Sequence, residues 1–507
     1  QKLLKDGLLL FNYTGHGGTT ALSDEKVLTQ TDINQFTYTH LPVWVTATCD
    51  FTRFDDLNTS AGEDVFLNKS SGGIALFTTV RVAYSRPNFP INDNVIRNLF
   101  ERNNGRRRTL GEVMQATKNT LSSVYKLGFC LIGDPAVKIA YPEFGMKVTT
   151  VNGQSVDGNS ISFKALEKIT VEGEVLDASG QLVTDFTGIV NPTVKDSKVT
   201  VTCLKNSNKD DSPAFTFTDY PNTIFIGNDS VRNGKFSFTF TVPKDISYSN
   251  LQGKMNLYAV DTESGNEAQG NFDNFIVGGT SDTAETDTIG PEIRALYLND
   301  TTFVDGGQVN TTPYFVAELW DKSGVNITGS SVGHDMMLVI DESTVLSYNL
   351  NSYYELLPGE DGTGIVKFPI PALEPGKHTA EFWVWDILNN STVRTFTFEV
   401  VEGLKPFLFD VIATPGIARE QVTFHLMHNR PESRMRVGIM VYDLAGRQLW
   451  KHEESGTSGL FENYTVSWDL TSGGARMRPG VYIYRAAIST DNSKDATKAR
   501  KFIILGE

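Results

Sequence analysis

The sequence LLLFNYTGHGG at positions 8–18 and the sequence PVWVTATCD at positions 42–50 decide the fold of the first part of the chain. Each is a run of mainly apolar residues that ends in a chemically reactive side chain, His16 in the first and Cys49 in the second. Near-continuous apolar runs of this length are typical of strands in a parallel sheet covered on both faces. Residues just past the carboxyl ends of such strands line the crevice where ligands bind. The two segments therefore predict that His16 and Cys49 face each other at one edge of a sheet.

The rest of the first 142 residues continues this alternation of strands and helices. A third apolar run, GIALFTT, occupies positions 73–79, and residues 137–141 are predicted to form a short closing strand. Residues 62–69 have helical character, and apolar residues recur at helical spacing in 92–101 and 109–125, which predicts an amphipathic helix on the sheet. We therefore expect an α/β subdomain over residues 1–142 with a mostly parallel sheet.

After residue 142 the pattern is typical of β-structure. Apolar and polar residues alternate with period two, as in KFSFTFTV at positions 235–242, and Gly, Asn and Asp mark the turns. This predicts an Ig-like β-sandwich over 143–280 and a second β-sandwich domain over 281–402 with strands near 314–319 and 381–385. The polar stretch at 279–290 is predicted to be a linker. A third β module occupies 403–507, so the fold class is multidomain, α/β followed by all-β.

Composition limits the possible functions. The chain has 507 residues and a formal net charge of -15, and an acidic surface of this kind argues against nucleic acid as a partner. It has no apolar stretch of about 18 residues, the length that a membrane-spanning helix needs. The three cysteines form neither a disulfide framework nor a metal-ligand pattern. Because the sequence opens without Met and almost at once with a strand, we expect an N-terminal part to precede it.

His16 and Cys49 together predict thiol chemistry. A histidine can take the proton of a thiol, and the resulting thiolate can attack a peptide carbonyl. Glycines around His16 allow close approach of a substrate, so the backbone N–H groups of Gly17 and Cys49 are candidate donors to the developing oxyanion. Taken singly, a His in a glycine-rich turn is often structural and a Cys after a strand is often an inert apolar residue. The pair at two strand ends favours the catalytic interpretation.

The His-Gly turn followed by a strand-end Cys resembles the caspase-like clan and, within it, the gingipain family of cysteine peptidases. The resemblance continues in GGIALFT at 72–78 and in IGDP at 132–135. It implies that His16 is the general base, that Cys49 is the nucleophile, and that the amides of Gly17 and Cys49 form the oxyanion hole. It also implies that Tyr84 is a wall of the S1 pocket. The family's acidic residue that orients the His lies upstream of the dyad, so none is assigned here.

The C-terminal module resembles a different family, the C-terminal sorting domains of type IX secretion cargo. The strings VYDLAGR, VSWD and PGVYIYR at 441–447, 466–469 and 479–485 occur in the family order, and a basic and apolar strand follows. ATPG at 413–416 departs from that pattern, where Asn-Pro is commoner. Together with a gingipain-like subdomain, the module implies a sortase-like C-terminal signal peptidase on the extracellular face of the outer membrane.

The resemblance also implies partners. These are cargo proteins with sorting domains, the outer-membrane β-barrel PorV bound through the C-terminal module, PorZ and PorQ in a surface complex, and anionic lipopolysaccharide as acyl acceptor. Two alternatives stay open: a secreted gingipain-like endopeptidase specific for Lys or Arg, and a catalytically silent surface adhesin.

The remaining reactive residues receive no catalytic role from the sequence. Asp50 is interpreted as a turn residue, and the acidic residues between 55 and 64 are interpreted as solvated or as helix-capping groups. No cofactor is required and no metal ligand is assigned, although a structural calcium ion at an unknown place is an alternative. Cys130 and Cys203 are expected to be core or half-buried structural residues.

Overall fold

The structure, a computed structural model, describes residues 4, 7–36, 38, 40–69, 71–83, 85–103, 105–122, 124–205, 213–282, 287–329, 333–357, 362–490 and 492–505. The chain divides into two compact units, residues 1–143 with 177–181, and residues 144–176 with 182–507. The elements of the first unit are, in chain order, β1 (Leu10–Thr14), β2 (Ala21–Leu22), β3 (Leu28–Thr29), α1 (Gln30–Gln35), β4 (Val43–Ala47), α2 (Ala61–Leu67), β5 (Ala75–Thr79), α3 (Ser85–Phe100), α4 (Leu110–Thr120) and β6 (Phe129–Ile132).

The first unit is built on a sheet with the strand order β1-β4-β5-β6. The first three strands are parallel, and β6 is antiparallel to β5. Both faces are covered: α1 and α2 pack with Trp44 on one face, and α3 and α4 pack with Val45 and Phe77 on the other. The mostly parallel sheet expected from the apolar runs is therefore confirmed.

Three predicted elements of this unit were wrong or incomplete. Residues 137–141 form no strand; a short 3₁₀ helix over Val124–Gly128 is followed by β6, which closes the sheet instead. The predicted helix over 109–125 ends at Thr120, and the one over 92–101 begins earlier, at Ser85. Pro90 lies inside that helix, which explains why its start was placed too late.

The helices α1, α2 and α4 each begin with a capping box. In such a box, the side chains of the residue before the helix and of the third helical residue bind each other's backbone N–H groups. The pairs are Thr29 with Asp32 in α1, Ser60 with Glu63 in α2, and Thr109 with Glu112 in α4. Each pair satisfies N–H groups that a helix start would otherwise leave without acceptors. The short helices α1 and α2 are thereby fixed at the strand ends that they follow.

The second unit consists of strands. Those over residues 144–280 are β7 (Phe144–Val151), β8 (Gln154–Ser155), β9 (Ile161–Ala165), β10 (Lys168–Leu176), β11 (Gly188–Lys195), β12 (Val199–Thr202), β13 (Thr216–Asp219), β14 (Thr223–Ile226), β15 (Asp229–Arg232), β16 (Lys235–Thr241), β17 (Leu251–Gln252), β18 (Lys254–Asp261), β19 (Glu267–Phe272) and β20 (Phe275–Thr280). The main sheet has the order β10-β16-β15-β11-β18-β19-β7-β8 with β14 beside β11, and a smaller sheet has the order β17-β20-β9. Their inward side chains form one core between Met146 and Val277.

The strands over residues 292–400 are β21 (Glu292–Leu298), β22 (Gly307–Val309), β23 (Tyr314–Trp320), β24 (Met337–Ile340), β25 (Ser347–Asn349), β26 (Tyr354–Leu356), β27 (Thr363–Pro369), β28 (Gly376–Trp385) and β29 (Ser391–Val400). They form two sheets, β21-β23-β27-β26 and β22-β29-β28-β24-β25, over a second core. The strands predicted at 235–242, 314–319 and 381–385 lie in β16, β23 and β28, while part of the predicted linker, 283–286, lies outside the described residues.

The strands of the C-terminal module are β30 (Leu408–Thr414), β31 (Ile417–Ala418), β32 (Val422–His428), β33 (Met435–Tyr442), β34 (Gln448–Gly456), β35 (Tyr464–Trp468), β36 (Thr471–Ser472), β37 (Ala475–Arg476), β38 (Gly480–Ser489) and β39 (Ala496–Ile504). Two sheets, β30-β32-β35 and β31-β39-β38-β33-β34, enclose a third core that includes Trp468, Tyr482 and Tyr484. The chain after residue 143 is thus mostly β, while the Ig-like assignment and the domain boundaries stay predictions. In the described part of the chain, no helix has the length and apolar character to cross a membrane.

Candidate active site

His16 and Cys49 lie at matching positions beyond two neighbouring strands. β1 and β4 pair in parallel with Thr14 opposite Ala47, and His16 and Cys49 each follow two residues later. Neighbouring strands are about 4.8 Å apart. The register therefore brings the two side chains to the same short stretch of the sheet edge, as the sequence predicts.

The strands that precede the two residues share the sheet face that α3 covers. Val45 of β4 packs in the core formed with α3 and α4, and Cys49 lies an even number of residues further along. Thr14 of β1 accepts a hydrogen bond from the side-chain amide of Asn92 on α3, and His16 lies two residues further. Because side chains alternate between the faces of a strand, Thr14 and Ala47, the last strand residues before His16 and Cys49, lie on the face covered by α3.

The two loops that follow the strands touch at Gly17 and Thr48. A Cβ atom on Gly17 would lie 2.4 Å from Thr48 Oγ1 and 3.2 Å from the Ala21 carbonyl oxygen. Thr48 is fully buried, and within the described part of the chain its hydroxyl has no hydrogen-bond partner. Only glycine at position 17 lets the two loops approach this closely. Gly18, its neighbour, has open space around the corresponding position.

Two backbone amides at this contact have no acceptor among the residues that the structure describes. Gly17 and Leu22 form a bridge in which Gly18 N–H donates to the Ala21 oxygen and Ser23 N–H to the His16 oxygen, so the Gly17 amide is left out of the pairing. The Cys49 amide is likewise unpaired in this part of the chain. Binding of a negatively charged oxygen between the two loops requires free N–H groups on both of them.

The Cys49 sulfur contacts the backbone of Ala83, in the loop between β5 and α3. The thiol donates to the Ala83 carbonyl oxygen at 3.1 Å, and the Ala83 N–H lies 3.4 Å from the sulfur. Both contacts hold the sulfur against the backbone of the loop that precedes α3. No sequence pattern indicated this contact, since Ala83 carries no functional side chain.

His16 is fixed through its backbone while its ring is exposed. Its carbonyl oxygen accepts hydrogen bonds from the Tyr13 hydroxyl at 2.6 Å and from the Ser23 N–H at 2.7 Å. Burial raises the pKa of Tyr13 above its ordinary value, which keeps the hydroxyl a neutral donor. Among the described residues, the imidazole ring itself has no hydrogen-bond partner. The backbone position of His16 is therefore set by these two contacts.

The acidic residues after Cys49 have structural partners. Arg81 binds Asp55 with two hydrogen bonds, at 3.0 and 2.6 Å, and Glu63 caps α2 through the backbone and hydroxyl of Ser60. Asp50 has a φ of 48°, a turn conformation, and donates its N–H to the Arg81 oxygen. These contacts agree with the turn and capping roles expected from the sequence.

Three further predicted residues have different outcomes. Tyr84, the expected S1 wall, lies outside the described residues. Cys130 is half-buried in β6, as expected, whereas Cys203 is exposed, so its prediction as a buried structural residue was wrong. Cys203 follows the end of β12, which pairs with β13 in a two-stranded ribbon outside the apolar core.

A second cluster of reactive groups lies in the β unit, and it could hold a cation. Carboxylate oxygens of Asp287, Asp321 and Asp386 lie within 4.8 Å of one another, and such oxygens are the ligands that Ca²⁺ prefers. Burial raises the pKa of Asp321 to about 6 and also raises the pKa of Asp386. A sequence signal existed: Trp320-Asp321 and Trp385-Asp386 both end a strand and open a turn.

Comparison with known proteins agrees with the site. Residues 1–140 match the model of peptidase family C25. This segment is therefore similar to peptidase family C25, in agreement with the resemblance to cysteine peptidases inferred from the strand-end His and Cys. No curated protein matches the chain.

Among solved structures, the chain is similar to dimeric latent PorU from Porphyromonas gingivalis, with 37% identity over 81% of this chain and a TM-score of 0.35. The chain spans 39% of that protein's length. It also matches the pro- and mature domains of RgpB from the same organism, with 19% identity over 54% of this chain and 55% of that one and a TM-score of 0.26. The 37% identity to PorU agrees with the resemblance to a gingipain-like protein that the sequence motifs indicated.

Proposed function

We propose that the chain carries the catalytic dyad of a cell-surface cysteine peptidase that removes C-terminal sorting domains from type IX secretion cargo. Cys49 is the nucleophile and His16 the general base. The observation that supports the catalytic part is the register of β1 and β4, which pairs Thr14 with Ala47, so that His16 and Cys49 each follow the paired strand ends by two residues. The C25 match over residues 1–140 supports the same chemistry.

The proposed reaction follows from the groups at the sheet edge. The Cys49 sulfur gives its proton to His16 and attacks the carbonyl carbon of the scissile peptide bond. The oxygen, now negatively charged, accepts hydrogen bonds from the Gly17 and Cys49 amides. When the C–N bond breaks, the leaving amine takes the proton from His16 and a thioester on Cys49 remains. Water resolves it to a carboxylic acid, and an amine on anionic lipopolysaccharide resolves it to a new amide.

The contact of the thiol with Ala83 defines the resting form of this site. The Cys49 S–H donates to a carbonyl oxygen rather than to His16. The sulfur must leave that oxygen before the proton can pass to the imidazole.

The C-terminal module supports the proposed attachment to an outer-membrane β-barrel such as PorV, and with it a surface location alongside PorZ and PorQ. Ile417, Ile503 and Val481 are paired across β31, β39 and β38, and they are 55%, 36% and 41% exposed. A row of exposed apolar side chains on a sheet face is a surface suited to a protein partner. This module is proposed to stay on the chain and to hold the enzyme at the membrane.

The experiment that tests the function compares Cys49→Ala with Cys130→Ala in cells that secrete a cargo protein with a sorting domain. Cys130 is a matched control because it is a half-buried thiol in the same sheet. We expect untrimmed cargo with the first variant and normal trimming with the second. Normal trimming in Cys49→Ala cells would contradict the proposal, and trimming without transfer to lipopolysaccharide would restrict it to peptidase activity.

A further inference from the structure

The C-terminal module carries a charge opposite to that of the rest of the chain. Residues 403–507 contain 14 Lys and Arg against 11 Asp and Glu, whereas the whole chain contains 45 against 60. The module therefore has a formal charge of +3, and the residues before it have one of -18. A local excess of positive charge on an otherwise acidic protein directs this module toward an anionic partner.

One group of these cations lies on the outward face of the sheet β31-β39-β38-β33-β34. Ile439 of β33 lies in the core, so the alternation of side chains turns its neighbours Gly438 and Met440 outward. The register pairs Gly438 with Ala487 of β38, and it pairs Met440 with Arg485. Two small residues therefore lie side by side on this face, with a guanidinium next to them.

An open pocket of about 330 Å³ lies over these two small residues. Its rim carries three cations and two carboxylates, which are Arg436, Lys451, Arg485, Glu453 and Asp495. Lys451 pairs with Glu453 at 2.8 Å, and a longer contact of 3.4 Å joins Arg436 to Asp495. Arg485 is exposed, and within the described part of the chain no carboxylate pairs with it. One guanidinium of the pocket is thus left to bind an anion.

Gly438 is a glycine that the strand itself does not require. Its φ is not positive, and the irregular pairing of this strand lies further along, between Val441 and Tyr442. A Cβ atom at Gly438 would meet Glu453 Cγ at 3.7 Å and the His452 oxygen at 3.9 Å, which are ordinary contacts. Glycine inside a strand weakens the strand, and it often marks a place where a ligand or another backbone comes close. Among the described residues no backbone comes closer than this oxygen, so the open floor fits a ligand.

The same sheet face carries an apolar row beyond the pocket, formed by Ile417, Ile503 and Val481. The exposed Lys501 lies two residues before Ile503 in β39, at a level between this row and Arg485. Exposed apolar side chains next to cations bind anionic membrane surfaces through hydrophobic and electrostatic attraction together. A guanidinium also suits phosphate, because it donates to two oxygens at once. The face therefore favours a lipid headgroup as its partner.

We propose that this pocket, the Arg485 pocket, binds the phosphate of an anionic lipid headgroup. Arg485 donates to the phosphate oxygens, Lys451 and Arg436 add positive charge, and Gly438 leaves room for the group over the sheet. The inference rests on the proposed surface location, to which it adds a direct contact between the module and lipid. It concerns attachment and does not depend on the reaction at Cys49.

The test measures co-sedimentation of the full chain with vesicles of phosphatidylcholine, with and without one part in four of phosphatidylglycerol. Binding is expected with the anionic vesicles alone. Arg485→Ser is expected to weaken this binding about fivefold, the contribution of one arginine near an anionic surface. Glu453→Gln removes a competing carboxylate and is expected to strengthen it. Arg394→Ser is the matched control, since Arg394 is an exposed arginine on β29 of the preceding β domain, and it should bind as the parent chain does.

Gly438→Val separates the pocket from positive charge in general. Valine is favoured in strands and its Cβ meets ordinary contacts, so the variant should unfold at the parent's temperature or above while its vesicle binding weakens. Arg485→Ser decides alone if Gly438→Val does not fold.

Parent-like binding of either variant overturns the inference, and so does a parent chain that does not bind the anionic vesicles. Saturable binding of inorganic phosphate or of polyglutamate without binding to the vesicles overturns the lipid headgroup as the occupant. The vesicle assay contains neither cargo nor barrel, so its failure is distinguishable from a failure of cargo trimming.

Discussion

Replacing Gly17 by alanine should disable the proposed oxyanion site while leaving the fold in place. The new Cβ would lie 2.4 Å from Thr48 Oγ1, where real Cβ atoms stay beyond 3.0 Å. Thr48 directly follows β4 and is fully buried. The loop that contains Gly17 must therefore move to make room for the new methyl group. Overpacking of this size costs about 1–3 kcal/mol of stability.

The larger effect is expected on the rate. Displacing the loop moves the Gly17 amide, and loss of one oxyanion donor lowers kcat by about 10²–10³-fold. The assay is release of the sorting domain from a purified cargo protein, followed over time and compared with thermal unfolding of the same variant. Gly18→Ala, which meets no atom within 4 Å, is the matched control and should keep its activity.

A compensating change makes this prediction specific. Thr48→Ala removes the hydroxyl that the new methyl group would strike, so Gly17→Ala combined with Thr48→Ala should recover most of the lost rate. Activity of Gly17→Ala within about threefold of the parent would refute the reasoning, because a displaced donor must cost more than this. The reasoning would also be refuted if the Gly17→Ala, Thr48→Ala double variant were as inactive as Gly17→Ala alone.

Three further predictions concern the β unit. Burial lowers the pKa of His428 to about 4, so stability should fall by about 3 kcal/mol as the pH drops from 6.5 to 4, and His428→Gln should remove this dependence in urea unfolding curves. Burial raises the pKa of Asp321 to about 6, so stability in a chelator should fall as the pH rises from 4 to 6, and Asp321→Asn should flatten that slope; an unchanged slope would contradict the assignment. Ile503→Lys should weaken binding to the barrel partner in a pull-down assay, while Leu444→Lys, a change at an exposed turn position of the same module, should not.

The local pattern of the chain was enough to locate the strands that precede His16 and Cys49. A strand buried on both faces must be apolar throughout, so residues 42–48 and 73–79 were recognisable without a partner in view. The local pattern did not predict the strand β6 (Phe129–Ile132), which is short and directly follows a 3₁₀ helix. Strands of four residues gain their stability from the neighbour they pair with, here β5, and that neighbour is distant in sequence.

The sequence by itself determined the nature of the site: a histidine and a cysteine at the ends of two strands, with glycines that leave the backbone accessible. Parallel strands in one sheet present their carboxyl ends at a common edge, so order and spacing were sufficient for this conclusion. Only the tertiary structure decided what surrounds His16 and Cys49. The fit of Gly17 against Thr48 and the contact of Cys49 with Ala83 depend on how three loops pack. Such contacts join residues far apart in the chain, and no local periodicity encodes them.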